Sequence, residues 1–177
     1  MTGIVGLLGF FILSILPSKI TEKRSFGIVL LLGCGLFSIL YDYILDISYV
    51  KYFITEVLHR SLNLTGRITI YENIPKILNG HLLLGYGHGS SYEVWINALH
   101  YPNSQNGLID MIVEDGLLST IMFLIIIKHI FKGNNKIIKL IICTFFILSA
   151  FEITLGNMMI AWLALLYNNK NRKEVEK

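Results

Sequence analysis

The sequence predicts an all-α fold: a polytopic helical membrane protein with about five spans and one large outer loop containing short helices. Three observations carry this expectation. Of 177 residues, 54% are hydrophobic and 15% charged, whereas a soluble domain carries roughly 25% charge and about 45–50% apolar residues. Mean hydropathy is +0.61, and the apolar residues gather in blocks, as bilayer spans require. Most Lys and Arg stand in short clusters at the block ends. A net charge of +3 placed in this way argues against nucleic-acid binding.

Residues 1–47 are expected to hold two spans. Gly3 to Leu16 is an uncharged run ended by Pro17. It is short for a hydrocarbon core of about 30 Å and reads as a span that has been cut. No basic stretch precedes it to make a signal peptide. Lys19, Lys23 and Arg24 form a basic connector, placed on the cytoplasmic side by the positive-inside rule. Phe26 to Leu45 is the second span, and Tyr41, Tyr43, Tyr49 and Tyr52 supply an aromatic belt at its far end. Asp42 and Asp46, four apart, share a helix face at that interface.

Residues 48–105 read as the outer loop. Ser48 to Arg60 fits an amphipathic surface helix with Tyr52, Phe53, Val57 and Leu58 inward. Thr65 is placed to cap a short helix from Gly66, which Pro75 should break or kink before the Asn79-Gly80 turn. Further turns are expected at GYGHGSS and at Tyr101 to Ser104.

Residues 106–167 hold the C-terminal spans. Asn106, Asp110 and Glu114 stand at i, i+4 and i+8, a polar stripe on a helix that becomes apolar toward Ile130. Lys128, Lys132, Lys136 and Lys139 make a second basic connector. Ile137 to Tyr167 is long for one span and short for two; two short helices turning near Gly156 put the basic residues beyond it inside. Residues 168–177 read as a charged, frayed cytoplasmic tail. Three, four and four Lys/Arg then flank the inner ends of the spans. Cys34 and Cys143 are lone thiols in apolar runs, with no CxxC or Cys/His pairing.

The chemistry-bearing residues concentrate between Leu62 and Gly116. Gly85-x-Gly87-x-Gly89 lacks the Lys-Ser/Thr of a phosphate loop and the spacing of a dinucleotide fingerprint, and reads as a tight turn. His81, His88 and His100 stand seven and twelve apart, without metal-site spacing. No nucleophile elbow or Cys/His constellation is present. Arg67 differs: it follows Thr65-Gly66 at a helix start, where a cationic fork and free backbone N–H groups suit a diphosphate.

Thr65-Gly66-Arg67, Ile77 to Gly89 (ILNGHLLLGYGHG) and Asn106 to Leu117 (NGLIDMIVEDGL) run into an apolar helix. Together they resemble the second half of the O-antigen ligase and polymerase family, the bacterial surface-polysaccharide polymerases. The resemblance covers roughly residues 63–167. Ligases of the family carry a histidine directly before the asparagine that opens the late helix; here Gln105 precedes Asn106 and His100 lies earlier. That departure favours the polymerase branch. Family members also have about ten or more spans, so this chain is expected to be the C-terminal portion of a longer protein.

The resemblance implies a multi-pass protein of the bacterial cytoplasmic membrane with its large loop extracytoplasmic. Its substrate would be an undecaprenyl-diphosphate-linked oligosaccharide, polymerised into capsular or O-antigen polysaccharide by glycosyl transfer. Arg67 would hold the leaving diphosphate, and Asp110 or Glu114 would deprotonate or orient the acceptor hydroxyl. Gly66, His100, Gln105 and Asn106 would bind substrate. No metal, nucleotide or other cofactor is implied. Partners are the lipid bilayer and other polysaccharide-assembly membrane proteins. The competing expectation is a non-enzymatic membrane subunit or transporter fragment; the scarcity of ionisable residues in the apolar blocks argues against transport.

Overall fold

The computed structural model describes residues 2–21, 23–57, 66–131, 135–155 and 157–175; within these, the side chains of residues 2, 38, 39, 41, 42, 157, 158 and 169–175 are left aside. Among the described residues every regular element is helical, as the sequence predicts. The order is α1 (Thr2–Ile15), α2 (Ser18–Thr21), α3 (Phe26–Leu45), α4 (Ser48–Tyr52) running into a π-helical turn at Phe53–Val57, α5 (Arg67–Ile77), α6 (Ser91–Leu99), α7 (Gly107–Ile130), α8 (Lys136–Leu148) and α9 (Asn157–Val175).

Among the described residues no helix is both long and apolar enough to cross a membrane. Helices α1 and α8 have 14 and 13 residues. Helix α7 has 24, but Asp110, Glu114 and Asp115 occupy its first half. The five expected spans are therefore not seen as five spanning helices. The divided reading of the last apolar stretch matches α8 and α9; its expected turn residue, Gly156, lies outside the described residues.

Two apolar cores organise the chain. The larger joins α1, α3, the end of α7, α8 and α9 through Leu13, Leu31, Ile127, Phe131, Phe146 and Leu166. Helix α3 meets α7 closely, because a Cβ on Gly35 would run into Leu108; small residues allow such approach between apolar helices. The smaller core joins the end of α3 to α5, α6 and the start of α7 through Leu45, Ile54, Ile70, Ile77, Trp95 and Val113. Helix α7 belongs to both, so the expected outer loop is a packed layer resting on that helix.

The two cores interleave on α7 at Leu108, Ile109 and Val113, just ahead of a break in that helix. Gly116 has φ 76° and ψ 173°, a conformation open essentially to glycine, so the intrahelical ladder is interrupted there. The segment Leu82–Gly87 takes up the freed groups. Leu117 N–H donates to Leu82 O (2.9 Å) and Leu118 N–H to Leu83 O (3.2 Å). In return Tyr86 N–H donates to Val113 O (2.9 Å) and Gly87 N–H to Glu114 O (2.8 Å). The chains approach so closely that a Cβ on Gly85 would strike the Glu114 carbonyl, and one on Gly116 the Leu83 carbonyl. The glycine-rich stretch is thus a turn, as expected, and its close partner is the helix break.

Other expectations are corrected. The helix from Ser48 does not turn Tyr52, Phe53 and Val57 inward: all three are exposed and Ile54 is buried. The π turn advances by i→i+5 bonds and rotates the face that a 3.6-residue period assigns; Leu58 lies outside the described residues. Pro75 does not end α5, which continues to Ile77. Lacking an N–H, Pro75 cannot donate to the Tyr71 carbonyl four residues back, a local loss that the helix runs past. The tail is not frayed throughout, since α9 runs to Val175. Thr65, the expected cap, is not described, and Gly66 occupies the N-cap position with φ 72°.

Candidate functional site

Arg67 opens α5, and two distant parts of the chain converge on it. Its Nε donates to Gln105 Oε1 at 2.9 Å and its Nη2 to the Phe151 carbonyl at 3.0 Å. The guanidinium carbon lies 5.7 Å from the centroid of the Phe151 ring, within cation–π reach. The side chain is half-buried. Among the described residues no carboxylate oxygen lies within ion-pair distance of it. A desolvated guanidinium oriented by an amide, a carbonyl and an aromatic face keeps its charge for an outside anion.

The turn before α7 delivers Gln105. Asn103 Oδ1 accepts from Gln105 N–H at 2.9 Å, an Asx turn, and Gln105 adopts φ 54°. Asn106 follows as a fully buried N-cap. Its Oδ1 accepts from Leu108 N–H and Ile109 N–H, and its Nδ2 donates to Cys34 O at 3.3 Å, tying the turn to α3. Gly107 N–H donates to Ser149 O at 2.7 Å, tying it to the end of α8. Gly66 lies against Tyr101, with no room for a Cβ between them. His100 caps α6 at φ 60° with an exposed side chain.

Of the residues expected to bind substrate, Gly66, Gln105 and Asn106 thus surround or support Arg67, while His100 makes no hydrogen bond with it. The two carboxylates sit elsewhere on α7. Asp110 is 4% exposed, and its Oδ1 accepts from Trp95 Nε1–H (3.0 Å) and Ser104 N–H (3.2 Å). It binds α6 and the pre-helix turn to α7. Glu114 is more open: Oε1 accepts from Ser91 N–H at 3.3 Å and Oε2 lies 3.7 Å from His88 Nδ1. Asn106, Asp110 and Glu114 do share a face, but its first two members point into protein and only the third reaches a partly open surface.

Two cavities border these groups. An apolar one of about 360 Å³ is lined by Val29, Gly33, Cys34, Phe37, Ile147 and Phe151, among others, and so shares Phe151 with the arginine. A second, of about 380 Å³, is lined by His88, Asp110, Glu114 and Asp115 on its polar side and by Phe123, Met159 and Ile160 on its apolar side. Sequence spacing gave no sign that His88, 27 positions from Asp115, meets these carboxylates; the pairing across the α7 break brings them together.

Comparison of the chain with models of protein families, with curated proteins and with solved structures gives no match, so the likeness to the polysaccharide polymerases rests on the motifs alone.

Proposed function

We propose that this chain is a membrane-embedded part of a polysaccharide polymerase that uses undecaprenyl-diphosphate-linked oligosaccharides outside the bacterial cytoplasmic membrane. The observation that carries the proposal is Arg67: a half-buried guanidinium, oriented by Gln105 and Phe151 with no carboxylate partner among the described residues, beside an apolar cavity that shares Phe151. A cation that shares one aromatic ring with an apolar cavity suits an amphiphile with an anionic head and a hydrocarbon tail.

The apolar surface supports the membrane setting. Leu7, Phe11 and Ile15 of α1, Val29 and Leu36 of α3, and Met122 and Ile125 of α7 are more than half exposed. Soluble monomers rarely expose contiguous apolar patches beyond about 300–600 Å². Tyr43, Tyr49 and Tyr52 are also exposed, where headgroups would meet amphipathic rings. The surface, rather than the length of any helix, favours lipid as the surrounding solvent.

In the transfer, the bond from the anomeric carbon to the diphosphate oxygen breaks and the diphosphate leaves with the electron pair. A hydroxyl of the acceptor sugar forms the new bond and gives up its proton. Arg67 stabilises charge gathering on the leaving oxygens, with two N–H groups of a planar fork available to an anion that can displace or share its present acceptors. We assign the proton to Glu114, the more open of the two carboxylates, since Asp110 is engaged by Trp95 and Ser104.

The test is polymer formation in bacterial cells that carry the protein, followed on gels at matched membrane levels. Arg67→Ala should reduce the rate by about 10²–10³-fold, the loss typical of an oxyanion donor. Arg67→Lys keeps the charge, loses the fork and should fall between. Wild-type polymer from Arg67→Ala would sink the proposal.

A further inference from the structure

We propose that His88, Glu114 and Asp115 form a site for a divalent transition-metal cation such as Zn²⁺ at the break in α7. Their ligand atoms lie within 4.8 Å of one another. His88 Nδ1 is 3.2 Å from Asp115 Oδ1 and 3.7 Å from Glu114 Oε2. Donors about 2.0–2.2 Å from a common ion lie roughly 3–3.5 Å apart when tetrahedral, so small movements of three side chains suffice.

The three donors are held before any ion arrives. Glu114 and Asp115 are the last residues ahead of the break, and Gly87 N–H on the Glu114 carbonyl fixes the residue next to His88 against that same turn. Ser90 Oγ–H donates to Gly87 O at 2.6 Å, closing the turn from its other side. Glu114 keeps one oxygen on Ser91 N–H, which orients the carboxylate and leaves Oε2 for the ion.

A second observation comes from Ser91 itself. It is 4% exposed, and its Oγ has no hydrogen-bond partner among the described residues, although its own N–H binds Glu114. A buried hydroxyl without a protein partner is where ordered water is expected, and the same residue's N–H already lies on Glu114. The His88, Glu114 and Asp115 side chains also line the cavity of about 380 Å³, so open coordination positions would face space for water or a ligand. One imidazole with two carboxylates suits Zn²⁺ or Mn²⁺, whereas Mg²⁺ and Ca²⁺ prefer oxygen alone.

This inference does not depend on glycosyl transfer, and binding is measured without any turnover. The full chain, purified in detergent and stripped with a chelator, is titrated with Zn²⁺ by calorimetry. The expected result is one saturable site that excess Mg²⁺ does not displace, weakened at least about tenfold in His88→Ala and in the isosteric Glu114→Gln and Asp115→Asn. The His88 side chain is 84% exposed, so its truncation leaves packing intact, and helical circular dichroism checks this. His81→Ala, in the same loop, should bind like the wild type. Absence of a saturable site in the wild type, or an undiminished one in His88→Ala, would overturn the proposal.

Discussion

Arg67 Nε donates to Gln105 Oε1 at 2.9 Å across 38 positions of sequence, and Gln105 holds φ at 54° where it does so. Positive φ in a residue with a long side chain carries strain of about 1–3 kcal/mol, which the Asx turn at Asn103 and the buried Asn106 cap sustain. The amide does for the guanidinium what a carboxylate would do, orienting it, without neutralising it.

Gln105→Leu tests that division of labour. A hydrogen bond to a charged group contributes about 1.5–3 kcal/mol, so polymer formation should drop by roughly 10–100-fold if the bond fixes the productive orientation. The decisive comparison is with Gln105→Glu, which keeps the geometry but adds a negative charge. It should be no better than Leu, because the fork is then neutralised. Activity near wild type in Gln105→Glu would mean that the charge of Arg67 is not what the reaction uses.

Gly116→Ala should destabilise the protein strongly. The added Cβ would strike the Leu83 carbonyl, and φ 76° with ψ 173° is a region that alanine avoids. A loss above about 3 kcal/mol is expected from strain of this kind combined with displaced hydrogen bonds. Thermal melting in detergent reads it out. An unchanged transition would show that α7 can run straight through this position.

Asp110 separates structure from chemistry. Asp110→Ala leaves Trp95 Nε1–H and Ser104 N–H without an acceptor, at about 1–3 kcal/mol each. Asp110→Asn retains an oxygen for them and should melt closer to the wild type, with polymer formation largely preserved. Should the Asn variant fold normally yet make no polymer, Asp110 and not Glu114 would be the proton acceptor.

The membrane setting has its own check. In a background with Cys34 and Cys143 replaced by alanine, Tyr92→Cys on α6 and Lys128→Cys near the end of α7 are both exposed positions. An impermeant maleimide added to intact cells should label Tyr92→Cys and not Lys128→Cys, as expected from basic connectors on the cytoplasmic side. The reverse pattern would invert the topology, and labelling of both would place the two on one side.

Much of the helical layout was legible in the sequence, and for identifiable reasons. Helix α3 occupies the expected Phe26–Leu45 because a basic connector bounds one end and the aromatic belt the other. Arg67 was found because an arginine at a helix start is a local signal. Its partner relation to Gln105 was not, since contact across 38 positions is set by packing. The polar stripe on α7 was correctly periodic, but periodicity says which residues share a face and not what that face meets, so it did not show that Asp110 is held by Trp95 and Ser104. The break at Gly116 was hidden because Glu114-Asp115-Gly116 can sit in a helix; only the carbonyls of Leu82 and Leu83 make the alternative stable.

The fastening of Leu82–Gly87 to α7 has a consequence for how freely this protein can vary. All four bonds run from main chain to main chain, so none of them depends on the identity of a side chain. Provided Gly85 and Gly116 stay, Leu82, Leu83 and Leu84 can be exchanged while the segment keeps its place, since all three face outward. The seam is therefore a socket in which new side chains can be tried without refolding the protein around them, and a library randomised at those three leucines should yield mostly folded members.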